Sequence, residues 1–374
     1  MKKLLTIMLL LLACTAWGGD LEDGEAAYFK NNYSVAIAKF KLSAAQGNAK
    51  AQFNIGAMYT NGRGVIQNYA EALKWYKLAA AQGNADAQYN IGNMYDNGRG
   101  VIQDYAEALR WYKMAAAQGY AYAKYNIGNM YDIGRGVIQD YAEALKWYKL
   151  AAAQGDADAQ YNIGIMYDNG RGVKQDDAEA LKWYKLAAAQ GYAYAQYNIG
   201  AMYTNGRGVI QDDAEALKWY KLAAAQGHAN AQSNIGIMYD IGRGVIQDYD
   251  EALKWYKLAA AQGNAKAQSN LGFMYDEGRG VIQDYAEALK WYKLAAAQGH
   301  PKAQFNIGSM YTKGEGVIKD YVRAHMWLNL SATVDSADAA KLRDLVAAKM
   351  TTQQIAKAQK LARECQASNF KHCD

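Results

Sequence analysis

Few side chains in this 374-residue sequence have the types and spacing that catalysis requires. The histidines, which could act as general acids or bases, lie far apart in the chain and have no nucleophile beside them; they are His228, His300, His325 and His372. A Ser-x-x-Lys pattern, typical of acylating enzymes, occurs once, at 368–371, between two cysteines, and we interpret it as chance. We therefore expect no catalytic residues, no metal site and no cofactor.

The three cysteines indicate a compartment rather than a reaction. Cys365 and Cys373 lie in the last ten residues and are predicted to form a disulfide in an oxidising compartment. Residues 1–18 are typical of a secretory signal, with two lysines, an apolar run and a small-residue cleavage site. The alternative is a lipoprotein signal, in which a lipid on Cys14 would be the only contact with a membrane. We expect a periplasmic or secreted protein of the bacterial envelope.

Composition indicates a short unit copied many times. The chain holds 35 Gly and 31 Tyr but one Pro and six Phe. A hydrophobic fraction of 51% and a charged fraction of 21% are typical of a packed, soluble protein. The net charge of +5 is small for this length, so a nucleic-acid partner is not expected.

The unit is 36 residues long, and each copy predicts two helices. Residues 87–122 read AQYNIGNMYDNGRGVIQDYAEALRWYKMAAAQGYAY. The first helix is predicted to run from Ala85 to Asp96, because Gly98 can adopt the left-handed conformation that ends a helix. The second is predicted to begin at Asp104 with a capping box, in which the Asp104 and Glu107 side chains each bond a free N–H group. Thr351 and Gln354 predict a second capping box near the end of the chain.

The repeated motifs resemble those of the Sel-1-like repeat family, a relative of the tetratricopeptide repeats. They are Ala-Gln-Tyr-Asn-Ile-Gly, Gly-Arg-Gly-Val, Asp-Tyr-Ala-Glu-Ala and Trp-Tyr-Lys, and the resemblance covers residues 34 to about 333. It implies an all-α fold: a right-handed superhelical solenoid of two-helix repeats with capping helices at both ends. The implied domains are the signal peptide at 1–18, an N-terminal capping repeat at 19–50, eight repeats at 51–338, and C-terminal capping helices with the disulfide tail at 339–374.

One stripe of the first helix varies between copies while the rest is nearly constant. The variable positions lie within an arc of about 100° on the helix, and relatives with tetratricopeptide-like stacks bind partners there, on the concave side. We predict that this stripe binds a partner through Asp86, Tyr89, Asn93, Asp96, Tyr122, Tyr125, Asn129, Asp132, Asp158, Tyr161, Asp168, Tyr194 and Tyr197. Variation without function, left by drift after duplication, is the competing interpretation.

Tyrosines and carboxylates on one surface favour a protein or peptide partner with basic character. Family members act as envelope adaptors, regulators and host-interaction factors, so the resemblance implies an exported scaffold rather than an enzyme. The alternative is a cell-wall hydrolase or penicillin binder of the β-lactamase type. Relatives described in that way carry paired cysteines within each repeat, which this chain does not have.

Overall fold

A computed structural model describes residues 19–333, 337–371 and 373, so the predicted signal segment, Cys14 and His372 lie outside the described residues. Within this part all regular secondary structure is helical, which confirms the all-α prediction. Helix α1 covers 19–29. The others are α2 (Tyr33–Ala45), α3 (Ala49–Asn61), α4 (Tyr69–Ala81), α5 (Ala85–Asn97), α6 (Tyr105–Ala117), α7 (Ala121–Ile133), α8 (Tyr141–Ala152), α9 (Ala157–Asn169), α10 (Asp177–Ala189), α11 (Ala193–Asn205), α12 (Asp213–Ala225), α13 (Ala229–Ile241), α14 (Tyr249–Ala261), α15 (Ala265–Glu277), α16 (Tyr285–Ala296), α17 (Pro301–Lys313), α18 (Tyr321–Ala332), α19 (Ala337–Ala347) and α20 (Thr352–Ala367).

Side-chain caps mark where most helices of the repeats begin, and glycines in the left-handed conformation mark where the first helices end. The Asn84 side chain accepts a hydrogen bond from the Ala87 N–H at 2.7 Å and starts α5. Gly98, with φ of 65°, ends the same helix in the left-handed conformation, as predicted. Because the same residue types recur every 36 positions, the same boundaries recur along the chain.

The predicted capping box of α6 is wrong in one half. Asp104 Oδ1 accepts from the Glu107 N–H at 3.0 Å, but the Glu107 carboxylate accepts from Trp111 Nε1 at 2.8 Å instead of returning to Asp104. The Asp104 N–H already donates to the Tyr95 carbonyl at 3.0 Å, so it needs no second acceptor. The box predicted at Thr351 and Gln354 has both bonds, at 3.2 and 2.8 Å, and is confirmed.

A glycine in each first helix from α3 to α15 admits a tyrosine ring from the second helix, whereas Gly308 of α17 meets Leu328. A Cβ atom added to Gly92 would lie 2.6 Å from Cδ1 and Cε1 of Tyr112, whose side chain is fully buried. Ala87, Ile91 and Met94 of the same helix are buried in a cluster with Tyr76 of α4. The same approach joins Gly56 to Tyr76, Gly128 to Tyr148, Gly164 to Tyr184, Gly200 to Tyr220, Gly236 to Tyr256 and Gly272 to Tyr292.

The chain divides into two compact units, 1–187 and 188–374. In the first unit each helix from α2 to α9 packs against the next. In the second unit the same succession runs from α11 to α19, and α20 also packs against α18. Among the described residues, no helix is both long enough and apolar enough to cross a membrane.

The end of the second unit is closed by a separate core. Trp327 and Leu328 are buried there with Val346 of α19 and Cys365 of α20. Cys365 is disulfide-bonded to Cys373, with 4.7 Å between the two Cα atoms. The link closes the last turn of α20 and the tail onto this core.

Candidate partner-binding surface

Each first helix buries one side and leaves the predicted stripe on the other. On α5, Asp86 is exposed, and Tyr89, Asn93 and Asp96 are half-buried. We call these side chains, with their equivalents on α3, α7 and α9 of the first unit and on α11, α13, α15 and α17 of the second, the first-helix face of each unit. The predicted residues therefore lie on the accessible side of their helices.

The tyrosines of this face divide into exposed and supporting rings. Tyr122 and Tyr194 are 59% and 58% exposed and present their faces to solvent. The four others are half-buried, with ring centroids 5.7 to 5.9 Å from a tyrosine of the second helix. These supporting pairs are Tyr89 with Tyr112, Tyr125 with Tyr148, Tyr161 with Tyr184, and Tyr197 with Tyr220.

The two predicted asparagines hold buried tyrosines in place. Asn93 Oδ1 accepts a hydrogen bond from the Tyr112 hydroxyl at 2.7 Å, and Asn129 Oδ1 accepts one from Tyr148 at 2.6 Å. The side-chain amide oxygens of Asn93 and Asn129 therefore already have partners within the protein. We expect these two residues to position the tyrosines rather than to contact a partner.

The predicted carboxylates have different surroundings. Asp96 lies 3.5 Å from the Arg135 guanidinium, and Asp168 accepts from the Tyr184 hydroxyl at 3.2 Å. Burial raises the pKa of Asp132 above its ordinary value, because a half-buried carboxylate loses solvation when it is charged. Asp158, at the start of α9, is half-buried, whereas Asp86 is exposed.

Sequence reasoning missed Tyr120 and Tyr192, which precede α7 and α11 and each extend the first-helix face of their own unit. Neither makes a side-chain capping bond. The Tyr120 ring lies 4.9 Å from Tyr89 and 6.0 Å from Tyr122. Other copies place a capping residue at this position: Asn48, Asn84, Asp156, His228, Asn264 and His300. The exchange of a capping side chain for an aromatic one was the signal in the sequence that could have identified them.

Two of the histidines act as helix caps. His228 Nδ1 accepts from the Ala231 N–H at 3.2 Å, and its ring stacks on Tyr197 with 4.6 Å between centroids. His300 caps α17 in the same way. Burial lowers the pKa of both imidazoles, which keeps the neutral form that a capping acceptor requires.

Of the side chains with catalytic potential, Ser368 has a structural partner, whereas the buried Nδ1 of His325 has no hydrogen-bond partner within the described residues. Ser368 Oγ donates to the Cys365 carbonyl at 2.7 Å, and His325 is buried in α18. Within 19–333, 337–371 and 373, no three His, Cys, Asp or Glu side chains are grouped as metal ligands.

Comparison with known proteins places this geometry in a family. A sequence model of the Sel1 repeat matches eight consecutive stretches: 49–84, 85–120, 121–156, 157–192, 193–228, 229–264, 265–300 and 301–335. The crystal structure of a protective antigen of uropathogenic Escherichia coli strains, which displays an SLR fold, is 30% identical and covers 97% of this chain and 96% of that chain, with a TM-score of 0.54. A Sel1 repeat protein from Oxalobacter formigenes is 34% identical over 65% of this chain and 96% of that chain, with a TM-score of 0.57. No match was found among the curated proteins.

Proposed function

This chain belongs to the Sel1 repeat family, and we propose that it is an exported scaffold whose first-helix face binds a protein or peptide partner. Stacked Sel1 repeats form a scaffold suited to protein–protein interaction. We propose in addition that the partner has basic character and that the protein acts outside the cytoplasm.

The observation that carries the proposal is the exposure of large aromatic rings on otherwise well-packed helices. Tyr122 and Tyr194 leave more than half of their surface in solvent, each beside other aromatic rings of the same face. Tyrosine provides wide contact area with few rotatable bonds, so it binds partners at low entropic cost.

Export is supported by the residues at both ends of the chain and by one relative. The segment 1–18 has the pattern of a cleaved signal, and a disulfide such as Cys365–Cys373 persists in oxidising compartments. The E. coli relative is described as a protective antigen, which favours a location accessible to the host. The intact mass of the protein from cells tests this part. A chain that starts at Gly19, or at a lipidated Cys14, supports export, and a chain that keeps 1–18 contradicts it.

The double variant Tyr122→Ala with Tyr194→Ala is expected to lose the partner. Wild-type and variant chains are immobilised, exposed to an envelope extract, and the retained proteins are quantified by mass spectrometry. One retained protein should fall at least about tenfold with the tyrosine variant, because hot-spot rings carry most of an interface's free energy. Lys146→Ala with Lys218→Ala, which changes exposed lysines of the second helices, is the matched control and should retain it within about twofold. Equal retention by both double variants would contradict the proposal.

A further inference from the structure

Eight surface tyrosines of the repeats already carry a cation from the chain's own side chains. A guanidinium carbon or an ammonium nitrogen lies 5.0 to 6.0 Å from the ring centroid, within cation–π distance. The arginine pairs are Arg99 with Tyr69, Arg135 with Tyr105, Arg171 with Tyr141 and Arg279 with Tyr249. The lysine pairs are Lys77 with Tyr95, Lys113 with Tyr131, Lys149 with Tyr167 and Lys221 with Tyr239.

Three tyrosines of the first unit form a cluster without such a cation. We call Tyr89, Tyr120 and Tyr122 the tyrosine triad. Their ring centroids lie 4.9, 6.0 and 6.3 Å apart, and no lysine or arginine of the described residues lies over any of the three rings. The exposed carboxylate of Asp86 lies beside them and makes no ion pair within the described part of the chain. The three ring faces and the Asp86 carboxylate therefore provide the negative potential that attracts a cation. Within the described part of the chain, no lysine or arginine occupies this place.

Tyr120 occupies this cluster at a cost to its own helix. An Asn or Asp at this position caps the next helix in neighbouring copies, as Asn84 does for α5 and Asp156 for α9. Tyr120 makes no capping bond, and the loss of a cap destabilises a helix. Burial and the negative charge of the nearby Asp86 carboxylate raise the pKa of the Tyr120 phenol.

We propose that the tyrosine triad and Asp86 bind the guanidinium group of an arginine of the partner. A planar guanidinium stacks on aromatic faces and also donates to a carboxylate, so it satisfies both features at once. Tyr122 leaves one side of the cluster open to solvent. This inference rests on the proposed function, since it names the chemical group through which the partner would be recognised.

The binding test uses N-acetyl-arginine amide, with N-acetyl-citrulline amide as its neutral, nearly isosteric control. Ring signals of 13C-labelled tyrosine in the full chain are followed by NMR, and the signal of residue 122 is assigned with Tyr122→Phe. We expect a saturable shift of the triad signals in the millimolar range with the arginine compound. Citrulline amide should bind at least about fivefold more weakly. Equal shifts with both compounds, or no saturable shift with arginine amide, would overturn the inference.

The variant Tyr120→Asn removes one ring of the triad but should leave the fold intact. An asparagine at this position can cap α7 in the way that Asn84 caps α5. The regained cap offsets the lost ring packing, so the Tm should change by no more than about 3 °C. Arginine amide should bind this variant at least about fivefold more weakly. Asp86→Asn should weaken binding by a similar factor, since it removes the carboxylate charge and keeps the shape. Unchanged binding by either folded variant would overturn the inference.

Failure here is distinguishable from failure of the proposed function. If arginine amide does not bind but the Tyr122→Ala, Tyr194→Ala variant still loses the partner, the surface stands and the guanidinium assignment is wrong. If the Tyr122→Ala, Tyr194→Ala variant also keeps the partner, both the proposed binding face and the guanidinium assignment are wrong.

Discussion

Deletion of residues 85–120, one whole repeat, is expected to leave a folded protein that still unfolds cooperatively. The new junction joins Asn84 to Ala121, so Asn84 takes the position of Tyr120 and can cap α7 as it now caps α5. Helix α7 then meets α4 with nearly the side chains that α5 presents today. Four of the five buried positions of α5 carry the same residues in α7, and the fifth, Gln88, is replaced by Lys124. Each repeat packs against its neighbours alone, so a shorter stack stays closed.

Deletion of 85–102, half a repeat, is expected to abolish cooperative unfolding of the first unit. This deletion removes α5, and α6 would follow α4 directly. The ring of Tyr112 would lose its place beside Gly92, and the buried faces of two second helices would meet without the first helix between them.

Circular dichroism during thermal unfolding distinguishes the two deletions. The 85–120 deletion should keep a sharp transition within about 10 °C of wild type, since one nearest-neighbour interface among many is lost. The 85–102 deletion should lose helical signal and bind a hydrophobic dye, as expected of exposed apolar surface. Similar melting of both proteins would show that the 36-residue register does not determine the packing.

Gly92→Ala is expected to destabilise the protein although alanine is the better helix former. Alanine gains about 1 kcal/mol of helix propensity. The new methyl group would lie 2.6 Å from the Tyr112 ring, which is fully buried and cannot move aside. Overpacking of this kind costs typically about 1–3 kcal/mol, and a rigid ring places the cost at the upper end. We expect a net loss of about 2 kcal/mol.

Hydrogen exchange of the α5 and α6 amides measures this loss where it arises. Asn97→Ala is the matched control: it lies on the same helix, is exposed, and occupies a position where other copies carry Ile133, Glu277 or Lys313. It should change the local free energy of opening by less than about 0.5 kcal/mol. A Gly92→Ala variant that is as protected as wild type would contradict the close glycine–tyrosine packing.

The helix boundaries were predictable from the sequence because short-range chemistry determines them. Gly98 and Asp104 act within their own turns, so their types alone indicate where α5 ends and α6 begins. The missing half of the predicted capping box depended on competing partners. The Asp104 N–H meets the Tyr95 carbonyl of α5, and the Glu107 carboxylate meets Trp111 one turn along α6.

The stripe was predictable as an exposed surface, but the roles within it were not. Helix periodicity places Asp86 and Tyr89 on the accessible side. It does not show that Asn93 is occupied by the Tyr112 hydroxyl, because that contact joins two helices. It also missed Tyr120, since this residue precedes the helix and reaches Tyr89 of the preceding repeat.

The residues at the helix-capping positions help to decide whether the differences between repeats arose by drift or by selection. Drift is expected to keep residues that stabilise a helix and to vary those that do not matter. Tyr120 and Tyr192 replace stabilising caps, and each stands two residues before an exposed tyrosine, Tyr122 or Tyr194. The same costly exchange in two copies favours selection for an aromatic surface.

In-cell photo-crosslinking tests the central claim most directly. A photoreactive phenylalanine derivative is placed at Tyr122 or at Tyr194, and in a control at Lys146, an exposed second-helix residue whose partner is Glu143. Crosslinked proteins are identified by mass spectrometry. We predict that both tyrosine positions capture the same protein and that Lys146 does not. Equal capture from all three positions, or none from the tyrosine positions, would contradict a partner-binding role for the first-helix face.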